Sequence, residues 1–338
     1  MRITKQRLET KHIAIKEYHE TEGWSIRQMC RLMNISRSGY FKWLGREVPA
    51  SESENLEIAQ LVQEYDDRLN HILGYRRMTL FINHYNGTAY NRKRIRRIMR
   101  AMKIQSVIRK KGKQYTRRSG TETAENILKR NFLADKPNEK WATDVTEFKW
   151  YEGKAVKKLY LSAIIDLYDR SIVSYVISAR NDNNLVFRTF DKAIALNPGA
   201  TPIFHSDRGF QYTNKSFEYK LQENGMTQSM SRVGHCIDNG PIEGFWGILK
   251  AEMYKLQTFT SRSDLQAAIV KYIHFYNEER LQERFHGQTP MQVRTAALNT
   301  DNPEQYPIPF NPRIAKFKAK FAALEKGRLL LGDTLENF

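Results

Sequence analysis

Three carboxylates in the second half of the chain have the residue type and the surroundings that metal-assisted chemistry needs. Asp144 lies in WATDVTEF, Asp207 in FHSDRGFQY and Glu243 in IDNGPIEGFWGILKAEM. Asp144 falls inside an apolar run that predicts a strand, where aspartate is disfavoured and a buried charge is costly unless it is paired or binds a metal. Any three of the 37 acidic residues would be a weak signal alone. Whether these three act together therefore depends on the strands and helices that carry them.

Asp207 and Glu243 stand where predicted elements end or begin. Asp207 follows the strand-like segment PIFHS, at the carboxyl edge where open α/β sheets bind ligands. Taken alone, Asp207 fits an ordinary turn better. Glu243 follows a loop that ends in Pro241, a residue suited to the first turn of a helix. Lys250 comes seven residues after Glu243, two helical turns further on, and so shares its face.

The segments around these residues predict a mixed five-stranded sheet with helices on its faces. Three strands are predicted in KWATDVTEFKW, KLYLSAIIDLY and SIVSYVIS, and the connections between them are too short for anything but antiparallel pairing. A helix over 184–196, the strand TPIFHS, a helix over 215–224 and the short strand TQSMS follow. Because these later connections contain helices, their strands can lie parallel to the first.

Positive charge is concentrated in the first part of the chain. Residues 1–140 hold 30 Lys and Arg against 15 Asp and Glu, so most of the formal net charge of +18 lies there. A basic front joined to a nearly neutral remainder predicts an arm that holds a polyanion for a domain that acts on it. Solubility is the plainer explanation, but it accounts less well for so uneven a distribution.

Two helical regions are predicted within this basic part. Residues 25–44 predict a helix-turn-helix in which Ser36 caps the second helix, a pattern that plain helical packing also produces. In a second helical region, residues 92–118 hold 13 Lys and Arg and no acid. A charge run is usually a solvated face, but the absence of any paired acid favours contact with phosphates.

These patterns divide the chain into five parts. They are a helix-turn-helix at 1–50, a second helical, basic DNA-binding unit at 51–118, a linker at 119–139, the catalytic core at 140–298, and a proline-rich stretch with an amphipathic helix at 299–338. The default expectation for the final helix, at about 313–331, is that it docks on its own core.

The motifs together resemble a known family. Asp207 and Glu243 are separated by 35 residues and Lys250 follows, so the acidic residues form a D-D-(35)-E pattern. With GYRRM, NRKRIRRIMRAM and YNEERLQERFHGQTP at 276–290, the chain resembles the OrfB-type transposases of the bacterial insertion-sequence family numbered three. Their catalytic core is similar to that of retroviral integrases. The resemblance covers nearly the whole chain.

The resemblance implies an α/β fold of the RNase H-like class, preceded by the all-α DNA-binding region. Asp144 is then expected on the central first strand, Asp207 at the end of the fourth and Glu243 on a late helix. These three are expected to bind two Mg²⁺ ions, for which Mn²⁺ can substitute. Two such ions, about 4 Å apart, activate the attacking oxygen and stabilise the leaving one. Mg²⁺ prefers oxygen ligands, so neither His nor Cys need contribute.

The expected activity is DNA strand cleavage and strand transfer at insertion-sequence ends, with water and a 3′-hydroxyl as nucleophiles. Expected partners are double-stranded DNA, namely the terminal inverted repeats and the target, a second copy of the chain, and an upstream-frame DNA-binding protein. The predicted DNA-binding residues are Arg37, Lys42, Arg76, Arg77, Arg92, Lys93, Arg94, Arg96, Arg97, Arg100, Arg109, Lys110, Lys111, Arg208 and Lys250. His205 and Asn239 also flank the carboxylates, and His205 fits DNA contact and a core position equally well.

Other acidic and late-helix residues are expected to be structural. Asp166 and Asp169 lie at a turn between strands, and the YN..R segment of Tyr276, Asn277 and Arg280 is expected to pack a late helix, with DNA contact by Arg280 as the alternative. With two cysteines far apart, no zinc module of the retroviral kind is expected.

Two other functions fit parts of the sequence. A non-catalytic DNA-binding regulator of transposition would retain the fold, but the intact acidic set argues against it. An RNase H-type nuclease would not need the basic helical arm. No signal peptide or span of about 18 apolar residues is present, so a cytoplasmic, nucleoid-associated protein is expected.

Overall fold

In the computed structural model, the described residues are 3–47, 50–108, 128, 132–231 and 239–307. The predicted final helix and the predicted DNA contacts Arg109, Lys110 and Lys111 lie outside them. The chain forms two compact units, residues 1–64 and 65–338. The division between the units falls within a single helix, Ala50–Arg68.

The first unit is helical and has a small core of its own. It contains α1 (Ile3–Glu22), α2 (Ile26–Leu32), α3 (Arg37–Leu44) and the first part of α4 (Ala50–Arg68). Buried Ile15, Met29, Cys30 and Tyr40 form the core. The Ser36 side chain caps α3 by accepting a hydrogen bond from the Gly39 N–H at 3.1 Å. The predicted pair of helices with its cap is therefore confirmed.

Two further helices open the second unit, α5 (Tyr75–Asn86) and α6 (Arg92–Ala101). On α6, Ile95, Ile98 and Met99 are buried, while arginines occupy the rest of its surface. Asn91 caps α6 by accepting a hydrogen bond from the Lys93 N–H at 2.8 Å. The amphipathic pattern predicted for this basic helix is confirmed.

A five-stranded sheet forms the centre of the second unit, in the order β3-β2-β1-β4-β5. Strands β1 and β2, and β2 and β3, pair antiparallel, whereas β4 pairs parallel with both β1 and β5. The predicted mixed sheet is confirmed. The elements are β1 (Lys140–Glu152), β2 (Ala155–Asp166), β3 (Ile172–Ser178), α7 (Asn183–Leu196), β4 (Ile203–Ser206), α8 (Lys215–Glu223), β5 (Thr227–Met230), α9 (Gly240–Glu252), α10 (Arg262–Glu278) and α11 (Pro290–Leu298).

Alternate side chains of the sheet enter two apolar layers. Trp141 of β1 joins the layer formed with α7 and α8, which includes Phe190 and Phe217. The next residue, Ala142, joins the layer formed with α9, α10 and α11, which includes Phe245. This alternation is the period of two expected of a strand. The sheet is thereby packed against helices on both faces.

A buried arginine ties α11 to the turn after β2. Arg294 donates hydrogen bonds to Asp166 at 3.0 Å and to Asp169 at 2.9 Å, and all three side chains are at most 8% exposed. Burial and the nearby Asp169 raise the pKa of Asp166, whereas Arg294 lowers it. The two aspartates therefore have a structural role, as predicted. No helix within the described ranges is long and apolar enough to cross a membrane.

Candidate active site

Asp144 lies on the central strand of the sheet, where its carboxylate is held by two N–H groups. Its Oδ1 accepts a hydrogen bond from the Val145 backbone N–H at 2.8 Å. Its Oδ2 accepts one from the indole N–H of Trp246 at 3.0 Å. Trp246 belongs to α9, three residues after Glu243, and so lies on nearly the same helix face. The strand and the helix that carry two of the predicted carboxylates are thus joined directly.

Asp207 follows β4, the parallel neighbour of β1, so it lies at the sheet edge that the sequence predicted. Its Oδ1 accepts a hydrogen bond from the Gly209 N–H at 2.9 Å. A Cβ on Gly209 would lie 3.0 Å from that oxygen and 3.0 Å from Gln211 Oε1. A side chain at position 209 would therefore crowd the Asp207 carboxylate and Gln211.

Glu243 stands in the first turn of α9, with Pro241 beside it as predicted. Its side chain is exposed. Asn239, the residue just before α9, is 2% exposed and donates a hydrogen bond to the Thr143 carbonyl at 3.0 Å. This bond fixes the start of α9 next to Asp144, and it gives Asn239 a structural role.

The three carboxylates act on one another electrostatically. Burial raises the pKa of Asp144 to about 7, with smaller contributions from the charges of Asp207 and then Glu243. Burial also raises the pKa of Asp207. The pKa of Glu243 is raised by burial and, to a smaller extent, by the charge of Asp207. The β1–β4 pairing and the bonds of Asn239 and Trp246 therefore place the three predicted residues around one site, the acidic cluster, where ionised carboxylates repel one another.

The donor set fits a hard divalent cation. All the side chains in the cluster offer carboxylate oxygen, which Mg²⁺ and Mn²⁺ prefer, and a cation would relieve their mutual repulsion. His205 takes no part, because it is fully buried and its ring nitrogens lie 2.9 Å from Ser229 Oγ and 3.3 Å from Ser231 Oγ. Of its two predicted roles, the structure supports a core position and not DNA contact.

Another group of metal-binding side chains lies outside this cluster. Among the described residues, Asp66, Asp67 and His71 are the three whose donor atoms lie within 4.8 Å of one another, a closeness that the carboxylates of the acidic cluster do not reach. His71 Nδ1 is 2.6 Å from Asp66 Oδ2, and this hydrogen bond raises the pKa of His71. Sequence analysis did not identify this group.

Lys250 also lies close to the acidic cluster. Burial lowers its pKa, and the charge of Asp144 partly opposes that effect. Its Nζ lies 5.4 Å from the centre of the Phe148 ring. The predicted sharing of a helix face between Glu243 and Lys250 thus places a cation beside Asp144.

Most of the described residues predicted to bind DNA are exposed. Arg92 pairs with Glu283 at 2.9 Å, and Arg96 lies over the Tyr75 ring at 5.2 Å. Arg208 is half-buried and donates to the Ser231 carbonyl at 2.7 Å. The exposed residues are Arg37, Lys42, Arg76, Arg92, Lys93, Arg96, Arg97 and Arg100, whereas Arg94 and Lys250 are half-buried.

Arg77 requires a correction. Its side chain is 21% exposed and its Nη1 lies 2.7 Å from Glu252, so its guanidinium is engaged inside the protein and is not offered to a phosphate. Sequence analysis grouped it with Arg76 because both are basic. Its position four residues before buried Phe81, on the same helix face, was the signal that could have separated them.

Family models match three segments of the chain. Two models described as integrase core domain match residues 134–236 and 243–298. The first contains Asp144 and Asp207, and the second begins at Glu243. A model described as HTH-like domain matches residues 53–112. That match falls on the second predicted helical unit and not on the helix-turn-helix predicted at residues 25–44.

Similar proteins are transposases of insertion sequences. The putative transposase InsK of insertion sequence IS150 from Escherichia coli K12 is 36% identical over 272 residues, covering 80% of this chain and 94% of that protein. The transposase InsF of IS3A from the same organism is 30% identical over 287 residues, covering 83% and 98%. Among solved structures, the HTLV-2 integrase catalytic core domain matches 47% of this chain and 97% of its own, with 22% identity and a TM-score of 0.36.

The crowding of carboxylates predicts a pH-dependent cost to stability. In EDTA at pH 8, Asp144→Asn should melt at a higher temperature than the wild type, because an ionised Asp144 is buried beside other carboxylates. The pKa of about 7 in the folded protein exceeds the ordinary 3.8. Protonated Asp144 therefore contributes stability that is complete below pH 3.8 and is lost as the pH rises through about 7.

Melting temperatures measured from pH 4 to pH 8 test this expectation. The advantage of Asp144→Asn over the wild type should grow across that window, whereas the exposed substitution Asp301→Asn should show no comparable trend. A constant difference at every pH would contradict the electrostatic explanation.

Proposed function

This chain belongs to the IS3 family of insertion-sequence transposases, in its OrfB type, and we propose that it catalyses metal-dependent DNA strand cleavage and strand transfer at the ends of its element. The observation that carries the proposal is the acidic cluster. Asp144, Asp207 and Glu243 come from a central strand, a neighbouring strand end and a helix start, and burial, followed by the charges of Asp207 and Glu243, raises the pKa of Asp144. Phosphoryl transfer by two divalent ions needs such a convergence of carboxylates.

The side chains of the cluster would hold two Mg²⁺ ions, and Mn²⁺ could replace them. Bound ions lower the pKa of an attacking water or 3′-hydroxyl and stabilise charge on the leaving oxygen. The hydrogen bonds from Val145 and Trp246 leave the remaining lone pairs of Asp144 available as ligands. Lys250, beside Asp144, would contact a phosphate oxygen near the scissile bond. There its positive charge would stabilise the negative charge that develops on the reacting phosphate.

The exposed basic residues of α6 would hold the DNA. Arg97 and Arg100 are exposed on the helix face opposite to its buried stripe. Arginine and lysine on such a face bind phosphates without reading sequence, with release of counterions. On this proposal, the front of the chain supplies affinity and the acidic cluster supplies chemistry.

Substitution of the acidic cluster tests the catalytic proposal. Asp144→Asn, Asp207→Asn and Glu243→Gln should each lower Mg²⁺-dependent strand cleavage by about 1,000-fold or more, because each removes an ion ligand. DNA binding, measured by gel shift, should change little. Glu223→Gln on the exposed side of α8 serves as the matched control. Substantial cleavage by any one of the three variants, or full activity with Zn²⁺ alone, would refute the assignment.

The salt dependence of DNA affinity tests the role of α6. Arg97→Gln should weaken binding of the full chain to all sequences and lower the slope of log affinity against log salt by about 1, since one phosphate contact is lost. Arg188→Gln, an exposed substitution on α7, should leave the slope unchanged. If both variants behaved alike, phosphate contact by this face of α6 would be excluded.

The reaction also sets a minimum for assembly. An element has two ends and each end needs an acidic cluster, while one chain provides a single set of Asp144, Asp207 and Glu243. We therefore propose at least two copies on paired ends, held with terminal-repeat DNA. Mass measurement of the full chain with end DNA should give two or more copies, and a stable, active complex of one copy on two ends would disprove this.

A further inference from the structure

The helix that carries the exposed Glu243 ends in a buried glutamate. Glu252 is the last residue of α9, nine residues after Glu243. Nine helical residues span about 13.5 Å and two and a half turns, so the two side chains leave opposite faces of the helix. The Glu252 side chain is only 3% exposed. It lies on the stripe of α9 that contains buried Phe245 and Leu249, where an apolar residue would be expected.

Four hydrogen bonds surround the Glu252 carboxylate. Arg280, which follows α10, donates from Nε to Oε2 and from Nη2 to Oε1, both at 2.9 Å. The Tyr272 hydroxyl donates to Oε2 at 2.9 Å, and Arg77 Nη1 donates to Oε1 at 2.7 Å. Burial raises the pKa of Glu252, but the bonds and charges of Arg280 and Arg77 outweigh it and hold the pKa below its ordinary value. Glu252 is therefore an ionised group between two cations.

Arg77 makes this contact from α5. Its other terminal nitrogen donates to the Ile72 carbonyl at 3.0 Å, so the guanidinium is fixed at both ends. Two further contacts bring the basic helices against the segment after α10: the Tyr85 hydroxyl donates to the Glu279 carbonyl at 3.2 Å, and Arg92 pairs with Glu283 at 2.9 Å. The helix leading into basic α6 is therefore joined to the end of α9.

A buried ion pair of this kind adds little net stability over an apolar core, because desolvation offsets the attraction. The ion pair does fix the position of Glu252, because a buried carboxylate that moved away from its cations would be left unpaired. Because α9 is continuous from Gly240 to Glu252, fixing its last residue also fixes Trp246 and Glu243 near its start. The Trp246 bond to Asp144 holds the same helix from the other end.

We propose that Glu252 is a positioning residue for the acidic cluster, and that Arg77 makes the placement of Glu243 depend on helix α5. Arg280 and Tyr272 hold Glu252 within the core, while Arg77 adds the link to the basic helices. A shift of α5 when DNA binds would then reach the acidic cluster through α9. The catalytic meaning of this coupling rests on the proposed function, whereas the mechanical coupling does not.

The indole N–H of Trp246 gives a direct readout of the position of α9. In ¹⁵N-labelled full-length protein, its resonance is assigned by its loss in Trp246→Phe. Arg77→Met and Glu252→Gln should each move this resonance, because the hydrogen bond to Asp144 lengthens or turns. Glu223→Gln should leave it in place. Tyr272→Phe removes a single hydrogen bond from Glu252 and should give a smaller shift, so it serves if Glu252→Gln does not fold.

Cleavage kinetics provide the second readout. Removing a direct hydrogen-bond partner of a metal ligand typically costs about 10–100-fold in metal affinity or activity. Arg77 acts more remotely, through Glu252 and α9, so the Mg²⁺ concentration for half-maximal cleavage should rise by at most about 10-fold in Arg77→Met. Excess Mn²⁺ should restore part of the rate. Because Arg77 acts through Glu252, the double variant Arg77→Met/Glu252→Gln should lose no more cleavage activity than Glu252→Gln alone.

The two readouts separate the possible failures. An unmoved Trp246 resonance in folded Arg77→Met and Tyr272→Phe variants would overturn the positioning role, as would multiplicative losses in the double variant. If the wild type cleaves no DNA, the proposed function fails, and the resonance alone still decides whether Glu252 positions α9.

Discussion

Three carboxylates, Asp144, Asp207 and Glu243, share one partly buried site, where burial and mutual repulsion both oppose their ionisation. Burial and the charges of Asp207 and Glu243 raise the pKa of Asp144 to about 7, so the cluster is costly in the absence of a cation. A fold that gathers such groups must hold each from a separate, well-packed element. A parallel pair of strands supplies two of them, because β1 and β4 lie side by side at the centre of the sheet. The third comes from a helix bound to that sheet at Asn239 and Trp246.

Helix α9 is therefore the element that connects the parts of the second unit. Its apolar side, including Ile242 and Phe245, enters the core under the sheet. Its first turn presents Glu243, and its last residue, Glu252, binds Arg77 and Arg280. The same helix thus takes part in the acidic cluster, the apolar core and the link to the basic helices. On the proposed function, this combination would let the basic helices and the acidic cluster respond to each other through α9.

Patterns of short range were enough to predict the architecture. Period-two runs and short connections gave the antiparallel strands, and helix-containing connections gave the parallel ones. Of the acidic cluster, only Asp144 was marked by a broken local rule, because it sits in a strand interior, where a charge needs a partner. Asp207 and Glu243 were joined to it by the motifs around them and by the family resemblance. In the structure, the charges of Asp207 and Glu243 add to the effect of burial and raise the pKa of Asp144.

Contacts between residues that are far apart along the chain could not be predicted from the sequence. Arg77 and Glu252 are 175 positions apart, and a basic motif alone does not show which arginine faces inward. The spacing of Phe245, Leu249 and Glu252 along one stripe of α9 was a usable sign of a buried acid. His205 was equally ambiguous until its serine partners were placed by β5 and the residue after it. Burial decided both cases, and burial depends on the packed fold.

The central claim is that Asp144, Asp207 and Glu243 together hold divalent ions. Anomalous diffraction from crystals soaked in Mn²⁺ tests it most directly, because the signal locates manganese without reference to activity. Anomalous peaks should lie in contact with these three carboxylates. Peaks confined to Asp66, Asp67 and His71, or no peak beside Asp144 at saturating Mn²⁺, would contradict it.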